Sequence, residues 1–364
     1  MAAPALTRRP LRRSSFHRIP VSRVDRLCAD AVAVTFDVPP ELAEQYTFRA
    51  GQYLTLRREV DGREERRSYS ICSSVGSAPR IGVRRLEGGL FSSWLVDSVR
   101  PGEEVEVMPP LGAFTPDLEV SAHHGLIAAG SGITPVLSII SSALDAHPDT
   151  RVTLLYGNRR TDTVMFAEEL ADLKDRYPSR FQLVHVLSRE PRDVELFSGR
   201  LDADRLRRLF DVFVPADDID EWWLCGPYGM VRDAETVLAE REVPRGRVHH
   251  ELFYVDEPPP PPVRHEESAV DGPTSEVTVR LDGRETVMTL PRNTTILDAA
   301  QRVRADLPFA CKGGVCGTCR ARLIEGEVNM RRNYALEDHE LADGFVLTCQ
   351  SLPVTENITV DYDA

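Results

Sequence analysis

Four cysteines near the C-terminus have a spacing that suits metal chemistry. Cys311, Cys316 and Cys319 follow the pattern C-x4-C-x2-C, and Cys349 comes further along the chain. Cysteine thiolates bind iron and zinc, and this pattern with a distant fourth cysteine is typical of a [2Fe–2S] cluster. Structural zinc sites are usually assembled from C-x2-C pairs and fit the pattern poorly. The sequence therefore predicts a [2Fe–2S] cluster held by these four residues.

Glycines in the same segment supply backbone freedom. Gly313, Gly314 and Gly317 lie between the first three cysteines. Because glycine adopts positive φ readily, this loop can turn sharply around one compact group. Backbone N–H groups can then approach the inorganic sulfides and help to set the reduction potential. Three neighbouring cations are candidates for contact with a partner protein, although solvated surface charges are the simpler interpretation. They are Lys312, Arg320 and Arg322.

A second group of chemically suggestive residues is Arg67-Ser68-Tyr69-Ser70. The Arg67 guanidinium could form a bidentate pair with a flavin phosphate. The Tyr69 ring could pack on an isoalloxazine, and Ser70 could hydrogen-bond N5, the flavin atom that accepts hydride. Taken alone, four such residues are equally compatible with an ordinary β-strand.

The segment Gly88-Gly89-Leu90-Phe91-Ser92-Ser93-Trp94 predicts the start of a helix. Backbone N–H groups at a helix N-terminus, with the hydroxyls of Ser92 and Ser93, suit a pyrophosphate. We therefore include Gly89, Ser92 and Ser93 among the candidate flavin-binding residues. Plain N-capping of the helix is the alternative.

A glycine-rich turn follows an apolar strand at Gly130-Ser131-Gly132-Ile133-Thr134-Pro135. It is not the dinucleotide pattern GxGxxG, because proline replaces the third glycine. The glycines Gly130 and Gly132 permit close approach of a phosphate, Thr134 could cap a helix, and Pro135 suits a first helical turn. These residues predict a nucleotide phosphate site.

The ends of two predicted strands carry arginine instead of an acidic residue. One strand ends in Asn158-Arg159-Arg160 and the next in Ser188-Arg189. NAD enzymes often place an acid there to hold ribose hydroxyls, whereas arginine can hold the 2′-phosphate of NADPH. We therefore predict NADPH as coenzyme, with Arg159, Ser188 and Arg189 near the phosphate. NADH remains open, because the arginines could also be solvated in an arginine-rich chain.

The bulk composition excludes several classes of protein. The chain has 364 residues and a net charge of −13, which argues against nucleic acid as a partner. No apolar run approaches the roughly 20 residues that span a bilayer, so we expect no membrane insertion. Seven cysteines, four of them clustered, suit a reducing compartment better than a secreted disulfide framework. A cytoplasmic protein is expected.

The hydrophobic pattern predicts three folded domains. Residues 16–118 alternate short apolar runs with turns, as in an antiparallel β-barrel. Residues 119–255 alternate strands with helical stretches such as 164–177, as in a parallel α/β domain. Residues 275–364 contain further strands and a helix over 294–305, capped by Thr294 or Thr295.

Two segments are predicted to lie outside these domains. Residues 256–274 contain the run Pro258 to Pro262, which favours an extended, semi-rigid linker. A ligand for an SH3-like domain is the alternative for this proline run. Residues 1–15 form an arginine-rich tail, although their composition also fits a transit peptide.

The motifs in this order resemble the ferredoxin–NADP⁺ reductase superfamily. The matching segments are RSYS, GSGITP, CGPYGM at Cys225 and HHELF at Phe253. The resemblance implies an FAD-binding barrel followed by a NAD(P)-binding domain. It also implies that Cys225 and Gly226 lie beside the nicotinamide and that Phe253 lies near the flavin, so Ser70, Cys225 and Phe253 are the candidate catalytic residues.

The C-terminal segment LPFACKGGVCGTCRARLIEGEV resembles plant-type ferredoxins. This resemblance implies a β-grasp domain, an α+β fold that holds its cluster near the surface. The predicted fold class is therefore multidomain, with a flavin barrel, a nicotinamide domain and a ferredoxin domain.

The predicted cofactors define an order of electron transfer. A nicotinamide delivers two electrons as hydride, a [2Fe–2S] cluster accepts one at a time, and flavin does both. The order FAD, NAD(P), ferredoxin and the segments LLYGNRR and GGLFSSWL resemble the reductase subunit family of phenylacetyl-CoA epoxidase. The resemblance implies an oxygenase or hydroxylase component as electron acceptor. Reductases of Rieske-type hydroxylases, including the 3-ketosteroid 9α-hydroxylase system, stay open, as does a redox-sensing iron–sulfur flavoprotein.

Overall fold

The computed structural model describes residues 15–60, 62–214, 216–253 and 272–364. These residues fall into two compact units, one over 17–253 and one over 272–364. The run Pro258 to Pro262 and nearly all of the predicted tail and linker lie outside the described residues. Within the described ranges, no helix has the length and apolar character needed to cross a membrane.

The first part of the larger unit is an antiparallel barrel of six strands. The strand order is β4-β3-β6-β1-β2-β5. A bridge between Ile71 and Ile81 joins the two end strands, so the sheet closes on itself. This confirms the predicted barrel. Its elements are β1 (His17–Cys28), β2 (Ala31–Phe36), β3 (Tyr53–Val60), β4 (Arg63–Ser70), β5 (Arg80–Arg84), α1 (Leu90–Asp97) and β6 (Glu104–Val107).

Alternating side chains explain why these strands form a barrel. Leu54 and Leu56 on β3 are fully buried, and they share one core with Val34 on β2 and Ile81. Helix α1 contributes Phe91 to the same core. The helix start predicted near Gly89 is confirmed, since Gly89 is the N-cap of α1.

The second part is a five-stranded parallel sheet with the order β11-β10-β7-β8-β9. From β7 the sheet is extended in one direction by β8 and β9 and in the opposite direction by β10 and β11. The order thus reverses between β7 and β10, where open parallel sheets bind ligands. The elements are β7 (His123–Ala129), α2 (Ile133–Ala146), β8 (Arg151–Asn158), α3 (Ala167–Arg176), β9 (Phe181–Leu187), α4 (Ala203–Phe213), β10 (Glu221–Cys225), α5 (Tyr228–Glu240) and β11 (Val248–Glu251).

The helix predicted over 164–177 is shorter than expected. It begins at Ala167, because Phe166 adopts a left-handed conformation with φ of 57° and ends the preceding irregular segment. Hydrophobic pattern alone does not reveal this turn, since Val164, Met165 and Phe166 are all buried.

The smaller unit is a mixed sheet with the order β13-β12-β18-β14-β16, in which β12 and β18 are parallel. A separate ribbon pairs β15 with β17. This α+β arrangement agrees with the expected β-grasp domain. The elements are β12 (Thr274–Leu281), β13 (Arg284–Pro291), α6 (Ile296–Ala300), β14 (Arg320–Glu325), β15 (Val328–Met330), α7 (Asp338–Ala342), β16 (Phe345–Leu347), β17 (Ser351–Pro353) and β18 (Asn357–Asp361).

The helix predicted over 294–305 is also shorter in the structure. Thr295 is its N-cap and accepts a hydrogen bond from the Asp298 amide at 3.3 Å, which confirms one of the two predicted caps. Helix α6 ends at Ala300, and the chain continues in turns. The longer prediction was wrong because turns and helices share the same apolar spacing over a few residues.

Candidate active site and cluster site

A direct contact between the barrel and the parallel sheet lies at the centre of the candidate active site. Ser70 ends β4, and its hydroxyl donates to Oε2 of Glu251 at 2.8 Å. Glu251 ends β11, so the two residues are far apart in sequence and adjacent in space. Ser70 was predicted from the sequence, but Glu251 was missed. The sequence could have indicated Glu251, because it lies in the HHELF segment that resembles the reductase superfamily. Only Phe253 of that segment was predicted as a site residue.

Burial changes the proton affinity of Glu251. The loss of hydration raises the pKa of this carboxyl to about 7, although the hydrogen bond from Ser70 acts in the opposite direction. A carboxyl with such a pKa can hold or release a proton near neutral pH. Ser70 and Glu251 are therefore a hydrogen-bonded pair at the junction of the two domains, in which Glu251 is the group able to act as acid or base.

Cys225 lies beside Glu251, since β10 and β11 place these two residues in register. Its thiol is fully buried, and burial together with the nearby Glu251 charge raises its pKa well above the usual value. The thiol therefore stays protonated and is not an activated nucleophile.

The glycine-rich turn meets the same strand end. A Cβ added at Gly132 would lie 2.1 Å from the Cys225 carbonyl oxygen, and one at Gly226 would lie 3.2 Å from the Ala129 amide nitrogen. Gly130 adopts φ of 56°, a conformation that favours glycine. The structure thus brings Gly130, Gly132, Cys225 and Gly226 together at the switch point of the sheet.

Thr134 does not have the predicted capping role. The N-cap of α2 is Gly132, and the Thr134 hydroxyl donates to the Ser131 carbonyl at 3.0 Å. The cap prediction was wrong because the helix starts earlier and places Thr134 inside its first turn. Pro135 lies in that first turn, as expected.

The RSYS strand and the start of α1 are neighbours. The rings of Tyr69 and Phe91 lie 6.1 Å apart, which places β4 beside the first turn of α1. Burial raises the pKa of Tyr69, so its hydroxyl stays neutral. Arg67 is exposed and forms an ion pair of 2.9 Å with Glu65. The Ser68 hydroxyl lies 3.1 Å from that of Thr55.

The two serines of α1 differ in burial and in hydrogen bonding. The Ser92 hydroxyl accepts from the Leu86 amide at 3.0 Å and is buried, so it organises the turn before the helix. Ser93 is partly exposed, and its amide donates to the Gly89 carbonyl at 3.1 Å. Neither serine caps the helix, because the N-cap is Gly89 and α1 has no side-chain cap hydrogen bond.

The predicted arginines lie together at the carboxyl edge of the parallel sheet. The Arg189 amide donates to the Arg159 carbonyl at 2.8 Å, and the Ser188 amide donates to that of Asn158 at 2.8 Å. Both arginine side chains are exposed. Within the described ranges neither makes an ion pair or side-chain hydrogen bond. Arg160, by contrast, pairs with Asp162.

Phe253 is the predicted site residue with the weakest structural support. Its side chain is 43% exposed. The chain that follows it lies outside the described residues, so its place near a flavin stays a prediction.

The four cysteines of the smaller unit are arranged as two pairs. Cys311 and Cys316 are hydrogen-bonding neighbours, and so are Cys319 and Cys349. Within the part of the chain that the structure describes, no three His, Cys, Asp or Glu side chains are grouped as for one metal ion. Two adjacent thiol pairs fit the two irons of a [2Fe–2S] cluster.

Hydrogen-bond donors surround these sulfur atoms. Gly313 donates its amide to Cys311 Sγ at 3.3 Å, Thr318 donates to Cys316 Sγ at 3.2 Å, and Gln350 donates to Cys349 Sγ at 3.6 Å. The pKa of Cys311 is lowered, first by a hydrogen bond from Cys316 and also by backbone amides. Such donors stabilise thiolates, the form that binds iron.

The predicted turn freedom of this loop is confirmed. Gly314 and Gly317 adopt φ of 80° and 67°. A Cβ at Gly314 would lie 3.1 Å from Cγ of Gln350. Gln350 itself is buried and donates to the Lys312 carbonyl at 2.8 Å, which ties the three-cysteine loop to the strand end that carries Cys349.

The cations proposed for partner contact are engaged within their own domain. Lys312 donates to Asp298 at 2.9 Å and to Gln301 at 2.7 Å. Arg320 forms an ion pair of 2.9 Å with the buried Glu340. Arg322 donates to the Asp343 carbonyl at 3.0 Å. The structure therefore gives these three residues a role inside the domain.

Three family models match the chain in the predicted order. They are the oxidoreductase FAD-binding domain over residues 18–115, the oxidoreductase NAD-binding domain over 126–236 and the 2Fe-2S iron-sulfur cluster binding domain over 279–354.

Two relatives match nearly the whole chain. The chain is 44% identical to a subunit of 1,2-phenylacetyl-CoA epoxidase of Escherichia coli (strain K12), covering 96% of this chain and 99% of that protein. It is 36% identical to the ferredoxin reductase component of 3-ketosteroid-9-alpha-monooxygenase of Rhodococcus rhodochrous, covering 94% and 95%.

A solved structure supports the fold. Phthalate dioxygenase reductase, described as a modular structure for electron transfer from pyridine nucleotides to [2Fe–2S], matches with a TM-score of 0.59. The match covers 95% of this chain and 98% of that one at 24% identity, so it bears on the fold alone.

Proposed function

The chain belongs to the ferredoxin–NADP⁺ reductase superfamily, in the family of oxygenase reductases that includes its relative from 1,2-phenylacetyl-CoA epoxidase, and on this premise we propose that it carries electrons from NADPH to an oxygenase. FAD in the barrel and a [2Fe–2S] cluster in the C-terminal domain would lie on the route. The observation that carries this proposal is the junction at which Ser70 on the barrel contacts Glu251 on the nicotinamide domain.

The nicotinamide donates two electrons together, whereas the cluster accepts them one at a time. When bound, FAD accepts hydride and releases electrons singly, which the cluster requires. Arg67, Ser68, Tyr69 and the start of α1 at Gly89, Ser92 and Ser93 would hold the flavin. Cys311, Cys316, Cys319 and Cys349 would hold the cluster.

The residues of the junction would position the nicotinamide and hold a proton. Cys225 ends β10, Gly226 follows it, and both lie against Gly132, so this end of the strand is the proposed place for the nicotinamide. Glu251 can hold a proton because burial raises its pKa to about 7. Ser70 keeps that carboxyl aimed at the barrel. These contacts support Ser70 and Cys225 as candidate catalytic residues and add Glu251; Phe253 is proposed on its sequence position alone.

NADPH is the proposed coenzyme. Arg159 and Arg189 are exposed neighbours at one sheet edge, and no anionic side chain among the described residues neutralises them. A 2′-phosphate would supply the missing negative charge, with Ser188 as a further donor. NADH lacks this group and is the weaker candidate.

The acceptor is proposed to be the oxygenase component of a phenylacetyl-CoA epoxidase. The 44% identity to a subunit of that enzyme supports this choice. A Rieske-type hydroxylase is the second candidate, because the chain is also 36% identical to the reductase component of a 3-ketosteroid-9-alpha-monooxygenase. We further propose a cytoplasmic location, in keeping with the thiolate ligands.

The domain boundaries given from the sequence remain our proposal for the whole chain. They are 16–118 for the flavin barrel, 119–255 for the nicotinamide domain and 275–364 for the ferredoxin domain. A linker over 256–274 and a basic tail over 1–15 complete this division.

A steady-state assay tests the function. Full-length protein loaded with FAD and iron should reduce both ferricyanide and cytochrome c with NADPH, and more slowly with NADH. Absence of turnover with either nucleotide would contradict the reductase function and favour a redox sensor. Addition of each purified oxygenase component, with product formation as readout, then separates the two candidate acceptors.

A further inference from the structure

Strand β5 of the barrel meets the nicotinamide domain with three alternating residues. Arg80, Gly82 and Arg84 are two positions apart, so they share one face of the strand. Arg80 contacts Glu169 on α3, Gly82 approaches Thr134 on α2, and Arg84 donates to the Thr163 carbonyl. One short strand thus reaches three separate parts of the neighbouring domain.

The contact at Arg80 is a bidentate ion pair. Its Nη1 lies 2.8 Å from Oε2 of Glu169, and its Nη2 lies 2.8 Å from Oε1. The Arg80 side chain is only 13% exposed, and its guanidinium lies 5.3 Å from the ring centre of Phe166. Asp25 is a further acidic neighbour at 3.8 Å. Paired hydrogen bonds of this kind fix orientation as well as distance.

The contact at Gly82 leaves no room for a side chain. A Cβ at this position would lie 2.5 Å from Cγ2 of Thr134 and 2.9 Å from Cζ of Phe166. Phe166 is the residue with φ of 57°, and it precedes α3, which carries Glu169 in its first turn. The left-handed turn therefore places the Phe166 ring on Gly82 and the Glu169 carboxylate on Arg80. Non-glycine residues rarely adopt this conformation, so tertiary contacts must hold it.

The contacts of β5 lie next to the chemistry. A Cβ at Gly130, the first residue of the glycine-rich turn, would lie 3.4 Å from Nη1 of Arg84. Ile81 on β5 bridges to Ile71, the residue after Ser70. Strand β5 is therefore linked by a β-bridge to the strand end that carries Ser70, and it packs against the glycine-rich turn of the nicotinamide domain.

We propose that this face of β5 is a positioning element that sets the separation of flavin and nicotinamide for hydride transfer. Arg80 and its partner Glu169 are its central pair. The proposal rests on the reductase function proposed above and adds residues that touch neither reacting group. Reacting atoms must approach to about 3–3.5 Å, and a displacement of about 1 Å can cost about a hundredfold in rate.

The test uses anaerobic single-turnover reduction of the enzyme-bound FAD by NADPH in the full-length protein. Glu169→Gln keeps the shape of the side chain but removes its charge and one of the two acceptors. We expect the limiting rate constant to fall about tenfold, while the dissociation constant for NADPH changes less than about twofold and FAD content stays at the wild-type level. Glu168→Gln is the matched control, because Glu168 is the exposed neighbour on the same helix and should keep the wild-type rate.

Two further variants guard against a purely structural effect. Glu169→Asp restores the charge on a shorter side chain and should recover part of the lost rate. Gly82→Ala inserts a methyl group between the domains and should lower the rate constant at least as far as Glu169→Gln.

A Glu169→Gln protein with the wild-type rate constant, or with a loss explained wholly by lower FAD content, would overturn the positioning role. Failure of the wild-type protein to be reduced by either nucleotide is a different result. It would contradict the proposed function itself.

Discussion

The cluster site and the flavin–nicotinamide junction are built in opposite ways. Three of the four proposed cluster ligands lie on one short loop, and the fourth is brought to them by the strand end beside Leu347. At the junction, Ser70 comes from the barrel and Glu251 from the last strand of the parallel sheet. A site encoded by local spacing tolerates changes elsewhere in its domain, whereas a site assembled from two domains depends on every contact that aligns them.

The largest expected effect separates the two regions completely. Cys316→Ser should remove the cluster and lower cytochrome c reduction more than about a hundredfold, because single electrons would lose their route out. Ferricyanide reduction should stay near the wild-type rate, since ferricyanide can draw on the flavin. Equal loss of both activities would show that the two regions do not act in the proposed order.

Removal of the acid at the junction should have the next largest effect. Glu251→Gln is expected to lower the NADPH–ferricyanide rate about a hundredfold, at the lower end of the usual range for loss of an acid–base group. The wild-type rate should decline as the pH rises through about 7, because the neutral acid that can supply a proton is then lost. The variant should lose this pH dependence. A pH profile identical to that of the wild type would exclude Glu251 as the titrating group.

The same residue links pH to stability. The pKa of Glu251 is raised from 4.5 to about 7 in the folded chain, so the folded state binds this proton more tightly than the unfolded state. Its contribution therefore favours folding at low pH and is lost as the pH rises through that interval. Chemical denaturation of the wild type and of Glu251→Gln across this range should reveal a steeper decline in the wild type.

Coenzyme preference is a smaller effect confined to the nicotinamide domain. Arg189→Ala should raise the KM for NADPH about tenfold and leave that for NADH within about twofold, because one charge-assisted contact to the 2′-phosphate contributes about 1.4 kcal/mol. Arg176→Ala, on α3, provides a control for the loss of one surface charge. An unchanged ratio of the two KM values would remove Arg189 from the coenzyme site.

The smallest predicted effect concerns the cluster. Gln350→Leu removes the donor to Cys349 Sγ and the link to the Lys312 carbonyl. Donors to sulfur stabilise the more negative, reduced cluster, so the ratio of reduced to oxidised cluster should fall about threefold at a fixed potential, or about 30 mV. A titration followed by electron paramagnetic resonance measures this shift. Gln301→Leu, which changes a partner of Lys312 away from the sulfurs, should leave the potential unchanged.

The cluster site and the junction also differ in how far they could be predicted from the sequence. The spacing of the four cysteines predicted a cluster site, and the structure places these cysteines in two neighbouring pairs. The predicted turn freedom of the glycines is confirmed by the positive φ of Gly314 and Gly317. The parallel and antiparallel strands were also predictable, because their side chains alternate or form continuous apolar runs. The ends of α3 and α6 were not, since Phe166 and the turns after Ala300 follow the same hydrophobic pattern as the helices they border.

The sequence by itself determined the domain order. The spacing of the cysteines predicted the cluster ligands, short motifs predicted sites at Ser70 and the glycine-rich turn, and the family resemblance pointed to Cys225. Only the tertiary structure decided that Glu251 is the partner of Ser70, that Thr134 lies against Gly82 and that Arg80 is paired with Glu169. A carboxylate acquires its partner and its pKa from the groups packed around it. Those groups come from distant parts of the chain, so local spacing does not specify them.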